Sequence, residues 1–558
     1  MSFLGKQWKV KNEKKELNLV DKMLENRGLQ TDEERYSFFN YSLNRLHDPL
    51  LLKDMQKAVD RLKEAIEKEE KIMIFGDYDV DGTSATALLY DLFKKIGANI
   101  HYCLPNREED GYGLKDYFIQ QFKEEGVDIV ITVDCGTANV KEVELANELG
   151  LTMIVTDHHD VPEELPKPFA LINPRQKDCP YPNEQLSGSA VAYKLVCALT
   201  PHYFEAQVAQ KYLYDQMGLA VLGLVADCMD LVEENRVLTN NGLKSLAQGN
   251  HPGIKALLEE AGMKCDDITS TTIGFFIGPH INAAGRLDSA HHALELLLGN
   301  IEKVPVLMEL NQKRRSIVEH FVREASEQIQ AMEEIPHVIV LSSPEWNAGT
   351  LGLIAGRMCE RFSRPVIAMQ EKDDEFVASC RSLNNFDITA FLREVGGELF
   401  NNVGGHMLAG GFSLPKANRE ALEKRIRENA PKYIDLDHFH GLLELEGEVN
   451  FRDLNFETTV KLSKFEPFGN GNPAPTLLLK NTRIPHVESM GKSKEHLRFP
   501  VELGSQKFNA VAFRFAEFAD KIHPDKSYDL AFSLEVNEWQ GNKRLQLRVV
   551  DLKISSNQ

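Results

Sequence analysis

The sequence predicts an α/β protein of several domains: a parallel-sheet domain, a smaller α/β domain reached through a long helix, and a C-terminal all-β module resembling an OB barrel. Three observations predict it. Residues 46–303 alternate short apolar runs with amphipathic stretches in β-α-β-α order. Residues 304–334 hold a helical period with no Gly and no Pro beyond Pro305. Residues 440–558 break into short alternating runs separated by Gly, Asn and Pro.

Taken in order, residues 1–45 read as a helical lead-in. DMQKAVDRLKEAIEKEE (54–70) is an amphipathic helix, KIMIF (71–75) a buried strand, SATALLYDLFKKIG (84–97) a helix and NIHYCL (99–104) a strand. LKDYFIQQFKEEG, VDIVITV, ANVKEVELANELG and LTMIV continue the alternation through residue 155. A second α/β unit runs from HVIVL (337–341) through PVIAM (365–369) to GGFSL (410–414), with strands expected to be fewer and shorter. After ANREALEKRIRENA, the runs TLLLKNTRI, LRFPVEL, FNAVAFRF, YDLAFSLEVNEW and RLQLRVVDLKI supply a Greek-key barrel.

Bulk properties bound the function. A chain of 558 residues suits about three or four domains. Its N-terminal MSFLGKQWKVKNEKKEL is too polar for a secretory apolar region, and no run approaches the ~20 apolar residues that span a bilayer. A cytoplasmic location without membrane attachment is therefore expected. The eight cysteines include no C-x-x-C pair, which argues against a thiolate zinc site or a disulfide framework. The formal charge of −20 is awkward for a nucleic-acid protein, yet residues 431–558 carry 17 Lys/Arg against 18 Asp/Glu. The acidity belongs to the first 430 residues, where bound cations would offset part of it.

Five segments carry chemistry: GDYDVDG (76–82), VDCG (133–136), TDHH (156–159), VAD (225–227) and GGH (404–406). In the first four, Asp and His stand where apolar runs end, and in an open parallel sheet the strand carboxyl ends face one crevice. Gathered there, such groups repel one another unless a cation lies between them. Asp77, Asp79 and Asp81 imitate the opening of an EF-hand, but the twelfth position is Leu88 instead of Glu, which excludes that loop. The segment instead leaves a strand and enters a helix that Thr83 or Ser84 would cap. Oxygen and imidazole ligands without thiolate suit Mn²⁺ or Mg²⁺, and two such ions suit in-line hydrolysis of a phosphoester.

In this order and spacing, GDYDVDG, VDCG, TDHH, VAD, GPHINAAGRLDSA (278–290) and GGHMLAGG (404–411) resemble the DHH phosphoesterase superfamily. Within it they are similar to the RecJ family of bacterial single-strand-specific exonucleases, from about residue 20 onward and including FEPFGNGNPAP (465–475). The resemblance implies a DHH catalytic domain (46–303), a connector helix (304–335), a DHHA1-like substrate-binding domain (336–430) and an OB-like nucleic-acid-binding domain (431–558) after the lead-in. It implies that Asp79, Asp81, Asp134, His158, His159 and Asp227 ligate two Mn²⁺ (or Mg²⁺), Asp134 bridging, with Asp77 and Asp157 supporting. Phe75 stands where relatives carry His, and His280 where Arg is common, so neither inherits a role.

The implied substrate is single-stranded DNA, digested 5′→3′ to 5′-mononucleotides in repair and recombination. Arg107 and Tyr112 would meet the strand, Tyr112 by stacking. Ser379, Arg381 and Ser382, with Gly404, Gly405 and His406, would hold a terminal phosphate. Arg286 is a further phosphate contact or else a domain-bridging ion pair. In the barrel, cations such as Arg498, Arg544 and Arg548 mix with Phe499, Phe513 and Trp539. A single-strand-binding protein and a RecQ-type helicase are the implied partners, and a monomer is expected. Two other readings stay open: a small DHH phosphodiesterase of nano-RNA or cyclic dinucleotides, which lacks so long a chain and a barrel, and a non-catalytic scaffold, which loses metal ligands.

Overall fold

The computed structural model describes residues 2–107, 109–111, 113–383, 386–436, 441–504, 506–539 and 541–555. It divides into two units, one formed by Asn40–Ile317 with Pro467–Pro473, the other by Met1–Phe39, Val318–Glu466 and Ala474–Gln558. The expected helical lead-in begins with a strand instead, β1 (Gln7–Val10), paired in parallel with Leu442–Leu445. Trp8 and Val10 pack on Leu445, Leu478 and Ala531, and the Trp8 indole donates to Asp551 Oδ2 at 2.9 Å. Helices Leu19–Asn26 and Asp32–Phe39 follow.

In the first-named unit, β2 (Ile72–Gly76), β3 (Ile100–Cys103), β4 (Ile129–Val133), β5 (Thr152–Thr156) and β6 (Ala170–Ile172) form a parallel sheet in the order β3-β2-β4-β5-β6. Strands β2 and β4 are buried throughout, because helices cover both faces and leave no side for water. Alternation sorts the side chains. Ile72, Ile74, Ile129, Ile131 and Ile154 enter one core with the long helices, while Met73, Phe75, Val130, Met153 and Val155 enter another. Phe75 is wholly buried, its ring 5.0 Å from Phe118 and 6.3 Å from Phe122, so an apolar partner occupies that position.

Helix Val304–Gln330 carries the chain into the other unit. There β7 (Ile339–Ser343), β8 (Val366–Glu371), β9 (Glu375–Arg381), β10 (Asn402–His406) and β11 (Ala409–Pro415) form a sheet in the order β10-β11-β9-β8-β7. This sheet has as many strands as the first, and they are no shorter, contrary to the sequence expectation. The Gly-rich stretch GGHMLAGG supplies a further hairpin, β10–β11.

Strand β12 (Leu442–Leu445) partners β1. The C-terminal strands β13 (Leu477–Arg483), β14 (Glu488–Met490), β15 (His496–Leu503), β16 (Gln506–Ala512), β17 (Ser527–Trp539) and β18 (Asn542–Ile554) follow the order β13-β17-β18-β16-β15-β14. A β13–β15 pairing, Arg483 opposite Glu502, closes five of them into a barrel. Among the described residues, no helix is long and apolar enough to cross a membrane.

Candidate metal centre

Strand register sets the first level of the site. Gly76 of β2 lies opposite Val133 of β4, which lies opposite Thr156 of β5. The next residues are Asp77, Asp134 and Asp157, so three carboxylates leave the carboxyl edge at one level from strands about 4.8 Å apart. Strand β3 lies to one side of β2 and β4 to the other, which makes this edge the topological switch point where ligands bind.

Helix ends supply the second level. Asp79 is the N-cap of helix Val80–Lys95, its Oδ1 accepting from the N–H groups of Asp81 (2.9 Å) and Gly82 (3.1 Å). The sequence placed that cap at Thr83 or Ser84. The helix has already begun by then, and Thr83 Oγ1 donates to the Asp79 carbonyl at 2.6 Å. Asp81 is buried, and its oxygens accept from Gly188 N (2.6 Å) and Ser189 N (2.9 Å), at the start of helix Gly188–Leu199. Unpaired N–H groups and the helix dipole favour a carboxylate there. Asp227 caps the C-terminus of helix Ala206–Ala226. The run LAVLGLV before it is therefore helix and not strand; a continuously apolar stretch reads alike for both when buried.

His158 and His159 follow β5. The buried His158 Nε2 lies 3.1 Å from Asp134 Oδ1, 3.5 Å from Asp227 Oδ2 and 3.7 Å from Asp81 Oδ2. Neither ring nitrogen of His158, nor Oδ1 of buried Asp77, has a hydrogen-bond partner. His159 Nδ1 lies 2.8 Å from Asp157 Oδ1, which also accepts from the N–H groups of His158 (2.7 Å) and His159 (3.2 Å). Asp157 Oδ2 accepts from Thr137 N at 2.9 Å, so this carboxylate is used up in orienting the two histidines.

Three sets bring one ligand atom per residue within 4.8 Å of one another: Asp77, Asp79 and Asp134; Asp134, His158 and His159; Asp81, His158 and Asp227. Asp134 and His158 each belong to two sets. Asp77, assigned only support on the resemblance, thus stands among the candidate ligands. Sequence reasoning also missed two glycines. A Cβ at Gly223 would lie 1.9 Å from Asp81 Oδ1, and one at Gly188 would lie 2.6 Å from Asp134 Oδ1. The only signal was Gly223 inside an apolar run, where a glycine costs stability and so implies a packing reason; Gly188, the first residue of its helix, gave none.

The electrostatics fit a cation. Burial, then repulsion from neighbouring aspartates, pushes the carboxyls of Asp77, Asp79 and Asp134 up. The half-buried Asp227 is pushed up to about 8 by burial and by the charges of Asp81 and Asp79. Burial lowers His158, which keeps the imidazole neutral as a ligand must be. Burial would raise Asp157 too, but His159 and the Thr137 N–H hold it below the usual carboxylate range. Burial lowers His159, yet its Asp157 partner overrules this and raises it to about 9.

A pH dependence follows for the metal-free protein. A carboxyl whose folded value exceeds its unfolded value of about 3.9 keeps its proton where the unfolded chain has lost it. Asp227 therefore subtracts stability as pH rises from about 4 to about 8. Thermal unfolding should show the wild-type midpoint falling relative to that of Asp227→Asn across this interval, with Mn²⁺ reversing the trend. A constant gap between the two would refute the burial argument.

The substrate candidates fall into two groups, one in each unit. Arg107 lies over the Tyr78 ring, 5.0 Å from its centroid, and its charge favours the ionised forms of Asp77 and Asp79. Arg286 is pushed down to about 9 by burial and by the charges of Arg107 and Arg314. The charges of Arg107 and Arg314 disfavour that of Arg286, which an anion bound there would relieve. Tyr112 lies outside the described residues. His280 uses both ring nitrogens internally, against the Phe276 carbonyl (2.7 Å) and Asn311 Nδ2 (2.9 Å).

In the other unit, His406 pairs with Ala409 and Ala409 with Arg381, while Gly404 pairs with Gly411 and Gly411 with Ser379. Arg381, His406 and Ser379 thus share a sheet face across a floor of Ala and Gly. Arg381 Nη1 donates to Ser379 Oγ at 3.2 Å. Gly352 keeps that space open, since its Cβ would lie 2.7 Å from Arg381 Nη2. Ser382 is not brought into the set, because its hydroxyl donates to the Phe386 carbonyl at 2.7 Å. Gly404 and Gly405 sit in the β10–β11 ladder instead of an open loop. On the barrel, Arg498, Lys507, Asn509 and Arg544 line a groove of about 550 Å³, while Phe499 is core.

Comparison with known proteins agrees with this architecture. The family model of the DHH N-terminal domain matches residues 71–224, that of the DHHA1 domain residues 336–431, and that of the RecJ OB domain residues 445–551. The chain is 32% identical over 544 residues to the single-stranded-DNA-specific exonuclease RecJ of Bacillus subtilis, covering 96% of this chain and 68% of that protein. It is 32% identical over 555 residues to the RecJ of Haemophilus influenzae, covering 95% of each. The chain belongs to the RecJ family. A crystal structure of RecJ from Thermus thermophilus in complex with Mn²⁺ superposes with a TM-score of 0.83 at 25% identity, covering 99% of this chain and 80% of that one. The parallel sheet, the second α/β domain and the barrel described above are thus the RecJ architecture.

Proposed function

We propose that this chain is a metal-dependent 5′→3′ exonuclease that hydrolyses single-stranded DNA to 5′-mononucleotides in DNA repair and recombination. The observation that carries this reading is the convergence of Asp77, Asp79, Asp81, Asp134, His158, His159 and Asp227 at the sheet's switch point, with buried atoms of Asp77 and His158 lacking hydrogen-bond partners. Asp79, Asp81, Asp134, His158, His159 and Asp227 would hold two Mn²⁺ or Mg²⁺ ions, with Asp134 shared between them and Asp77 as a further ligand. When bound, the two ions supply Lewis-acid activation of water and offset charge on the phosphoryl oxygens.

The chain's own groups do the rest. Asp157 fixes the histidine rings, and the N-terminus of helix Gly188–Leu199 fixes Asp81. Arg107 and Arg286 attract backbone phosphates beside the acidic cluster, and Tyr112 stacks a base near the end. Ser379, Arg381 and His406 hold a terminal 5′ phosphate, which makes the enzyme count from that end. A helicase and a single-strand-binding protein would present the strand to it.

The test is a substrate panel with Mn²⁺: end-labelled single strands, duplex, two-residue RNA and cyclic di-AMP. Loss of the single strand alone, from its 5′ end, supports the reading; cleavage of only the two-residue RNA or the cyclic dinucleotide would replace it with the small-phosphodiesterase one. Arg381→Ala should raise KM about tenfold on 5′-phosphorylated strands and erase their advantage over 5′-hydroxyl strands. Retention of that advantage would remove Arg381 from the 5′ site.

A further inference from the structure

Residues 270–287 run as one helical stretch interrupted by a π turn at Ile273–Ile277. Pro279 explains the turn. It has no N–H to give the Phe275 carbonyl, and its ring crowds that carbonyl, so regular α geometry cannot continue. The Gly278 N–H reaches the Ile273 carbonyl instead, the wider bond of a π turn.

The turn keeps Ile273 and Ile277 fully buried and puts Phe275 outside, 79% exposed, the most exposed large apolar side chain among the described residues. A lone exposed aromatic would need no explanation. This one has a place in a pattern. Phe275, Pro279, Asn282 and Arg286 are four, three and four residues apart, the spacing of one helix face, on which Phe275 is exposed and the other three are partly buried. Between them Ile277, Gly278, His280, Ile281, Ala283, Ala284 and Gly285 are all buried.

That face starts at the acidic cluster. Asn282 Oδ1 accepts from Val80 N at 3.2 Å, next to Asp79, and Arg286 feels the charges of Arg107, Arg314 and Asp79. At 1.5 Å per residue, Phe275 lies about 16 Å farther along the helix than Arg286. A strand spaced at 3.4 Å per nucleotide covers that length with about five nucleotides, and an extended one with fewer.

Resting on the exonuclease reading, we propose that Phe275 is a stacking platform for a base of the single strand, a few nucleotides inward from the bond that is cut. Arg286 draws the phosphates, the bare ring takes the base, and no sequence preference results because every base has a π face. Pro279, by forcing the π turn, is what turns the ring outward.

The experiment uses the full chain, as wild type, Phe275→Ala and Phe275→Trp. With Mn²⁺, Phe275→Ala should raise KM about tenfold on a strand of about twelve nucleotides while leaving kcat there, and the rate on a dinucleotide, within about twofold; Trp should restore KM. Without metal, a 2-aminopurine base walked along the strand should be quenched at one inner position in wild type and not in Phe275→Ala. Equal KM for wild type and Phe275→Ala, or an equal loss on the dinucleotide, would overturn the proposal. If wild type cuts no single strand, the exonuclease reading falls, and the 2-aminopurine scan alone decides whether Phe275 stacks a base.

Discussion

Asp134→Asn should lower turnover at saturating Mn²⁺ by more than about a hundredfold while the protein stays folded. Residues that merely orient metal ligands typically cost about 10- to 100-fold when changed, so one shared by two ligand sets should exceed that range. The choice of Asn matters because Asp134 has φ of 62°, a left-handed conformation that Asn tolerates and Ala does not. Asp134→Ala should lose the same activity and also about 1–2 kcal/mol of stability. In the metal-free state Asp134→Asn should be no less stable than wild type, since the buried carboxyl has to take up a proton on folding and the amide does not. Turnover and thermal unfolding, each with and without Mn²⁺, check both halves. Wild-type turnover in Asp134→Asn would remove Asp134 from the site.

Gly223→Ala should be nearly as damaging, although it touches no acid by sequence. The added methyl would lie 1.9 Å from Asp81 Oδ1 and 2.3 Å from Ser189 Oγ, so something must move. The helices bearing Asp81 and Ser189 are buried against the one bearing Gly223, which leaves the Asp81 carboxylate as the piece that gives way. It would then leave the N–H groups of Gly188 and Ser189 and quit the ligand set of His158 and Asp227. Overpacking of this kind costs about 1–3 kcal/mol, and displacement of a ligand should weaken Mn²⁺ binding by more than about tenfold. Mn²⁺ titration of the folded fraction, identified by circular dichroism, separates the two effects. Normal Mn²⁺ affinity in folded Gly223→Ala would show that Asp81 does not need the space.

The sequence disclosed those parts of the fold that depend on local period. Strands β2, β4 and β5 were readable because parallel strands under helices must be apolar along their whole length, and because each is followed at once by Asp. What it hid depends on partners far along the chain. Strand β1 is only four residues long and owes its existence to Leu442–Leu445, so nothing near it signals a strand. The run before Asp227 carries no period, since a fully buried helix shows water no face. The Asp79 cap was missed because its aspartate had already been given to the metal, and one carboxylate can serve both. Ser382 looked equivalent to Ser379, but alternation along β9 and the bond of its hydroxyl to the Phe386 carbonyl separate them. Gly188, Gly223 and Gly352 matter through atoms they lack, which a sequence reading can suspect but not locate.

Seven residues from the far end of the chain, Pro467–Pro473, count physically with the unit that carries the acidic cluster. Leu231 donates its N–H to the Asn470 carbonyl at 2.8 Å, and buried Arg236 donates to the Pro467 carbonyl at 3.2 Å. Asp230 Oδ1 accepts from Asn470 Nδ2 at 2.6 Å, only three positions beyond Asp227. Anyone trimming the polypeptide to a minimal nuclease by deleting the barrel would therefore excise a piece of the cutting half with it. A shortened version that is to keep these three bonds has to carry that heptapeptide, spliced back or supplied separately.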